Sequence, residues 1–128
     1  MTIIPAMART LRGLRGAITL DEDSRDQVME RTGRLLGTML ERNELMKEDL
    51  VSVIFTATED IRSEFPAAAA RAIGLSDVPL LCTRELDIDG AVKLCIRVLM
   101  HLYTERSPAE LRHVYLEGAE PLRTDLPR

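Results

Sequence analysis

The sequence predicts an α+β sandwich, in which one mixed sheet is covered by two long helices. Three observations support this fold class. The chain has 128 residues, which is the size of a single domain. It is 45% hydrophobic and 30% charged, as globular proteins are. Short strand-like segments alternate along it with segments of helical periodicity, which is typical of helices packed on one sheet.

The first half of the chain contains two predicted strands with a long helix between them. Leu11–Thr19 reads as a strand that its glycines weaken. Asp21–Ser24 supplies residues that favour a helix start, and apolar residues at helical spacing follow until about Asn43. Val51–Ala57 is apolar and β-branched, which predicts the second strand.

The second half predicts a short helix, a strand and a second long helix. Phe65-Pro66 opens the short helix and Gly74 ends it. The strand Pro79–Thr83 follows and runs on toward Glu85. A turn at Asp87–Gly90 leads into the second long helix. Its apolar stripe is Ala91, Leu94, Cys95, Val98, Leu99 and Leu102, and its opposite stripe is Lys93, Arg97 and His101.

The alternating segment His113–Glu117 predicts a final strand. We therefore divide the chain into an N-terminal extension (1–8), one domain (9–120) and a proline-punctuated tail (121–128). Met7 is an alternative start to Met1. The helices can cover only part of such a sheet. We therefore expect the remaining apolar face to be buried in a closed homo-oligomer.

Composition narrows the class of function. The net charge of −4 argues against a nucleic-acid or anionic-membrane binder held by charge. No apolar run approaches the ~18 residues of a membrane span. Cys82 and Cys95 are too few for a disulfide framework, so a reduced, cytoplasmic protein is the simpler interpretation.

The common catalytic signatures are missing from the sequence. It has no G-x-S-x-G elbow, P-loop pattern or G-x-G-x-x-G motif. His101 and His113 lack the spaced partners of a zinc site. We interpret His113 as a strand residue satisfied by a local hydrogen bond, and Cys82 as a small buried hydrophobe.

Arginine is the unusual feature of the composition. Only Lys47 and Lys93 are lysine among 17 basic residues. The excess of arginine over lysine has two explanations. It reflects the base composition of the genome, or some of the arginines form a rigid site for carboxylates. Arg97, within an apolar run, is either the solvated edge of a helix or a cation aimed at an anionic oxygen in a dry pocket. Arg15 and Glu85 have the same ambiguity.

Five segments occur in an order and spacing that resemble one family. They are Leu14–Ala17; Ser63–Ala67 with Arg71; Val78-Pro79 with Cys82 and Glu85–Asp87; Lys93 with Cys95–Val98; and Arg112–Glu117. Together they resemble the AroH-class chorismate mutases, which are trimeric α/β proteins with a pseudo-α/β-barrel. The resemblance extends from about Arg12 to Leu126.

The resemblance implies an isomerase of aromatic amino acid biosynthesis (the shikimate pathway) that converts chorismate to prephenate. The rearrangement is a concerted pericyclic step, which requires no nucleophile, metal or cofactor. The enzyme must hold the folded conformer of a flexible dicarboxylate. It must also stabilise the ether oxygen as its bond breaks. A cytoplasmic homotrimer with its sites at the subunit interfaces is implied as well.

The resemblance also assigns residues. Arg97 would be the cation at the ether oxygen, Arg15 would bind a carboxylate, and Glu85 would accept from the ring hydroxyl. Further substrate contacts within the same subunit would be Tyr115, Cys82 and Thr83. The neighbouring subunit would supply Phe65, Ala67 and Arg71, and Leu122 and Arg123 would belong to a tail that covers the pocket. Ala68 stands where the family often has a lysine.

Two other functions remain open on the residues alone. A trimeric sensor could use the same arginines to bind a carboxylate metabolite without turnover. A structural interaction module would leave those arginines solvated. A direct assay of chorismate disappearance, with calorimetry against dicarboxylates, separates the three hypotheses.

Overall fold

A computed structural model describes residues 8–122 as one five-stranded sheet with helices on one side. The strand order is β3-β2-β4-β1-β5. In chain order the elements are β1 (Thr10–Thr19), α1 (Arg25–Arg42), β2 (Leu50–Ala57), α2 (Pro66–Ala72), β3 (Leu80–Arg84), β4 (Cys95–Thr104) and β5 (Val114–Leu116), with 3-10 helices at Lys47–Asp49 and Glu117–Leu122.

The sheet is mixed, as the sequence predicts. Antiparallel pairing joins β4 to β1 on one side and to β2 on the other. Parallel pairing adds β5 to the outside of β1 and β3 to the outside of β2. The α+β class is therefore confirmed, with β4 as the central strand.

The first long helix is confirmed at both ends. The hydroxyl of Ser24 accepts a hydrogen bond from the Gln27 N–H, which satisfies one of the free donors of the first turn. Asn43 caps the other end. The buried side of α1 packs on β1 so closely that a Cβ on Gly16 would lie 2.5 Å from the Met39 sulfur. Gly16 therefore serves the packing of α1 on the sheet.

The predicted second long helix is wrong, because that segment forms β4. The stripe that includes Leu94, Val98 and Leu102 fits helical spacing, but β-branched Ile96 and Val98 alternate with Arg97 along a strand. As a central strand, β4 has apolar residues on both faces, which obscures the period of two. The sheet is consequently covered by one long helix and the short α2, whose Phe65-Pro66 start is as predicted.

The two faces of the sheet differ. Helix α1 contacts β1 and β5, and α2 contacts β2 and β3, so both helices pack on the same face, here called the core face. The other face, here called the open face, exposes large apolar side chains. Leu11, Leu81 and Tyr103 are 50%, 59% and 45% exposed there. No helix within residues 8–122 is long and apolar enough to cross a membrane.

Candidate active site

The strand register places five residues in one row across the open face. Arg97 on β4 pairs with Ala17 on β1 and with Thr56 on β2. Ala17 pairs in turn with Tyr115 on β5, and Thr56 pairs with Thr83 on β3. Because paired residues point to the same side of a sheet, the row brings chemistry from all five strands together.

Arg97 and Glu85 form an ion pair at the centre of this row. The Nε of Arg97 lies 3.3 Å from Oε2 of Glu85, and the two side chains are 33% and 24% exposed. The same Oε2 accepts a hydrogen bond of 2.7 Å from the Thr56 hydroxyl. Glu85 is itself held at the end of β3, where its N–H donates to the carbonyl of Ala57. The ion pair therefore orients the guanidinium toward Glu85, while its buried Nε makes no hydrogen bond within residues 8–122.

Arg15 supplies the second positive charge of the site. It lies two residues before Ala17 on β1, so both side chains point to the open face. Its side chain is half-buried and, among residues 8–122, makes no ion pair or hydrogen bond. A half-buried guanidinium without an internal partner is suited to bind an anion from solution.

Arg15, Glu85, Arg97 and Tyr115 line one cleft of about 470 Å³. Its two arginines face a single carboxylate, which leaves the cleft with a net positive charge. The remaining lining is largely apolar, for example Ile54 and Leu99. A cleft of this size and charge is suited to a small anionic molecule that has an apolar body.

A loop between β2 and α2 holds the start of β4. The carboxylate of Asp60 accepts the N–H of Leu94 at 3.0 and 3.2 Å, and Leu94 has a positive φ of 48°. The hydroxyl of Thr58 accepts the N–H of Cys95 at 3.0 Å and donates to Asp60 at 2.5 Å. Since Arg97 follows two residues later, this loop helps to set its position.

A small apolar cluster supports the other end of the cleft. It consists of Ala17, Cys95, Tyr115 and Ala119, with Leu122 packed against it. Burial raises the pKa of the Cys95 thiol to about 11, although Arg97 opposes this shift. The thiol is therefore protonated near neutral pH and is no thiolate nucleophile.

Several predicted site residues lie outside this cleft in the single chain. Phe65, Cys82 and Thr83 line a second cleft of about 430 Å³. Phe65 is 67% exposed, whereas Ala67 is buried in the main core. Leu122 packs beside Tyr115, while Arg123 lies outside the described residues.

Arg71 lies in the last turn of α2, where its side chain is exposed. Like Phe65, it does not line the Arg97 cleft of its own chain.

Sequence reasoning missed Thr56 and Asp60. Neither stands in a motif that we singled out, and their relation to Glu85 and Leu94 depends on strand register and a loop contact. No sequence signal could have identified them. Residues 8–122 contain no group of three or more His, Cys, Asp or Glu side chains that could hold a metal ion.

Comparison with known proteins gives consistent similarities. The family model described as "Chorismate mutase type I" matches residues 11–126. The chain is 48% identical over 117 residues to chorismate mutase AroH of Thermus thermophilus, covering 91% of this chain and 96% of that protein. It is 40% identical over 117 residues to chorismate mutase AroH of Bacillus subtilis (strain 168), covering 91% and 92%.

A solved structure is similar over most of its length. This is a chorismate mutase from Clostridium thermocellum, with a TM-score of 0.84 and 40% sequence identity. The alignment covers 85% of this chain and 97% of that one. The overall fold is therefore similar to that of a solved chorismate mutase.

Proposed function

Because the chain belongs to the type I chorismate mutase family and so converts chorismate to prephenate, we propose that the cleft around Arg97 is its active site. The enzyme is an isomerase of aromatic amino acid biosynthesis. The observation that carries the proposal is the half-buried guanidinium of Arg15. It lacks a partner among residues 8–122 and shares the cleft with the Arg97–Glu85 pair.

Arg97 acts on the bond that breaks. In the rearrangement the ether oxygen becomes more negative as its bond to the ring lengthens, and no proton needs to move. A fixed guanidinium beside that oxygen stabilises the transition state more than the substrate. Glu85 and Thr56 hold Arg97 in advance, so little reorganisation is needed during the reaction.

Arg15 and Glu85 set the pose of the substrate. Arg15 binds one carboxylate, with Tyr115 lining the same end of the cleft. Glu85 accepts from the ring hydroxyl and balances the positive charge that develops in the ring. Holding both ends of the flexible dicarboxylate in the folded conformer removes much of the entropic part of the barrier.

A homotrimer completes the site in this proposal. The open face leaves apolar side chains such as Leu11 and Leu81 exposed, which supports burial against other copies of the chain. Phe65 and Arg71 are exposed and do not line the cleft of their own chain, which leaves them free to contact another subunit. Phe65 and Arg71 of one subunit then border the Arg97 cleft of the next, with Ala67 behind them in the core of its own subunit. In the cleft's own subunit Thr83 lies in the Arg97 row, whereas Cys82 pairs with the buried Phe55 on the core face and does not reach this cleft directly.

The ends of the chain and its location complete the proposal. The packing of Leu122 beside Tyr115 supports a role for the C-terminal segment at the cleft, and the rest of the tail assigned to 121–128, including Arg123, lies outside the described residues. The assigned extension, residues 1–8, lies outside the described residues except for residue 8. The two free cysteines support a cytoplasmic location.

Mixing of inactive variants tests the shared site. Arg97→Ala and Arg71→Ala are each expected to inactivate the enzyme alone, because each removes a cation from every site. Random mixed trimers would regain intact sites at about a quarter of the interfaces, since the two arginines come from different subunits. Turnover of chorismate measured after mixed refolding checks this.

The matched control mixes Arg97→Ala with Arg15→Ala. These two residues share one chain's cleft, so no mixed trimer has an intact site and no activity should return. Recovery in the control, or none in the first mixture, would contradict the shared site. A native mass other than three times the 14.4 kDa chain would contradict the trimer.

A further inference from the structure

A buried histidine holds the backbone of Arg15. The Nδ1 atom of His113 accepts a hydrogen bond of 2.9 Å from the Arg15 N–H, and His113 is only 6% exposed. Parallel pairing of β1 with β5 begins one residue later, at Gly16 and Val114. The imidazole therefore takes the place of the backbone acceptor that the ladder lacks at this position.

The hydrogen bond determines which ring nitrogen of the neutral imidazole carries the proton. A nitrogen that accepts a hydrogen bond carries no proton, so neutral His113 has its proton on Nε2. Burial lowers the pKa of His113, which favours this neutral form. The charged side chains that line the space beside the ring are Arg42 of α1 and Glu117 and Glu120 of the C-terminal 3-10 helix.

The residue before His113 is also held by the core. Asn43, at the end of α1, is buried and bonds both backbone groups of Arg112. Its Oδ1 accepts the Arg112 N–H at 2.7 Å, and its Nδ2 donates to the Arg112 carbonyl at 2.9 Å. The ring of His113 thus projects from a backbone with little freedom to move.

We propose that His113 is a positioning residue that sets the place of Arg15 in the cleft through this hydrogen bond. The inference rests on the proposed function, in which Arg15 binds a substrate carboxylate. The Arg15 side chain makes no hydrogen bond or ion pair with residues 8–122, so its position depends largely on its backbone. Loss of the acceptor leaves Arg15 paired with Leu99 on β4 but removes its hold on the β5 side. The guanidinium is then less well placed and binds the substrate more weakly, which raises KM more than it lowers kcat.

Two substitutions of similar shape test the role. His113→Leu fills the space without an acceptor, whereas His113→Asn places its Oδ1 near the Nδ1 position and keeps one. We expect KM for chorismate to rise about tenfold in the leucine variant and to return to within about threefold of wild type in the asparagine variant. A wild-type KM in a folded His113→Leu enzyme, or equal impairment of both variants, would overturn the proposal.

Arg15→Ala separates this inference from the proposed function. If His113 acts through Arg15, adding His113→Leu to Arg15→Ala raises KM no further, and an undiminished further rise overturns the inference. Unchanged kinetics in Arg15→Ala alone would overturn the assignment of Arg15 itself. An impaired Arg15→Ala enzyme beside an unimpaired His113→Leu enzyme overturns only the role of His113.

The wild-type protein provides a test that is independent of variant folding. Nitrogen-15 NMR of the imidazole should show the proton on Nε2 at neutral pH, with Nδ1 accepting the Arg15 amide. A proton on Nδ1 would overturn the proposal, because such a nitrogen cannot accept this hydrogen bond.

Discussion

One face of β4 packs in the core of the domain, and the other lies on the open face with the cleft. Toward the core, Ile96, Met100 and Leu102 are fully buried. On the open face the alternate residues are Arg97, Leu99, His101 and Tyr103, all at least partly exposed in the single chain. The exposed face contains the charge of the proposed active site, and the buried one contains the packing that stabilises the domain.

This difference shows how a small domain separates stability from chemistry. Adjacent residues on a strand point to opposite sides, so Arg97 can hold an ion pair in the cleft while Val98 packs against the helices. The core supports a rigid strand, and the rigid strand keeps the guanidinium aimed at its target. Substitutions on the two faces should therefore have separable effects on activity and on stability.

The largest effect is expected for Arg97→Ala, which removes the cation beside the breaking bond. Loss of one donor at a developing oxyanion costs about 3–4 kcal/mol, so kcat/KM should fall by about two to three orders of magnitude. Arg97→Lys should be nearly as damaging because an ammonium lacks the planar fork. Turnover of chorismate measures this, with the exposed Arg25→Ala as a control that keeps activity. Wild-type turnover in Arg97→Ala would contradict the mechanism.

Neighbouring residues of β4 test the separation directly. Met100→Ala creates a cavity in the core and should lower the free energy of unfolding by about 2–5 kcal/mol. Leu99→Ala, on the open face, should cost the subunit less and shift the protein toward smaller assemblies. Urea unfolding and native mass at one protein concentration measure both. Equal destabilisation by the two substitutions would contradict the distinction between the faces.

A smaller effect is expected for Asp60→Ala at the start of β4. The variant loses the acceptor of the Leu94 N–H, which should lower the free energy of unfolding by about 1 kcal/mol. It should also lower kcat/KM several-fold, because Arg97 lies three residues later. Asp60→Asn keeps one acceptor and should be milder on both measures. An Asp60→Ala enzyme with unchanged stability would show that the loop does not hold β4.

The smallest effect is the contribution of His113 to stability in acid. Burial lowers the pKa of this ring below its ordinary value of 6.5, so the unfolded chain takes up the proton first as pH falls. Stability should therefore decrease below about pH 6.5 and stop decreasing from this cause once the native ring is also protonated. Thermal unfolding of wild type and His113→Asn across this range measures it. Identical pH dependence in both would contradict the assignment.

The fold was largely predictable where local signals agree. Helix α1 has a capping serine, one apolar side and a defined end, and its prediction is confirmed. Strand β4 was mistaken for a helix, because Leu99 adds an apolar residue on its open face. Arg97 and His101 share a face in either structure. Residues four apart lie on the same side of a helix, and residues at any even spacing lie on the same side of a strand.

The candidate site was only partly predictable. The family resemblance selected Arg15, Glu85 and Arg97, and the structure brings all three into one cleft with Tyr115. The hydroxyl of Thr56 on Glu85 and the ring of His113 on Arg15 were not predictable, because both contacts join residues on different elements.

The sequence by itself determined the class of the domain, the first helix and the residues that mark the family. These depend on side-chain periodicity, on local capping and on motifs that short stretches of chain carry. Only the tertiary structure decided that the segment after Gly90 becomes a central strand and that, within residues 8–122, the Arg15 guanidinium makes no ion pair or hydrogen bond. Both outcomes depend on pairing between strands far apart in the chain, where hydrogen bonds with β1 and β2 override the local preference for a helix.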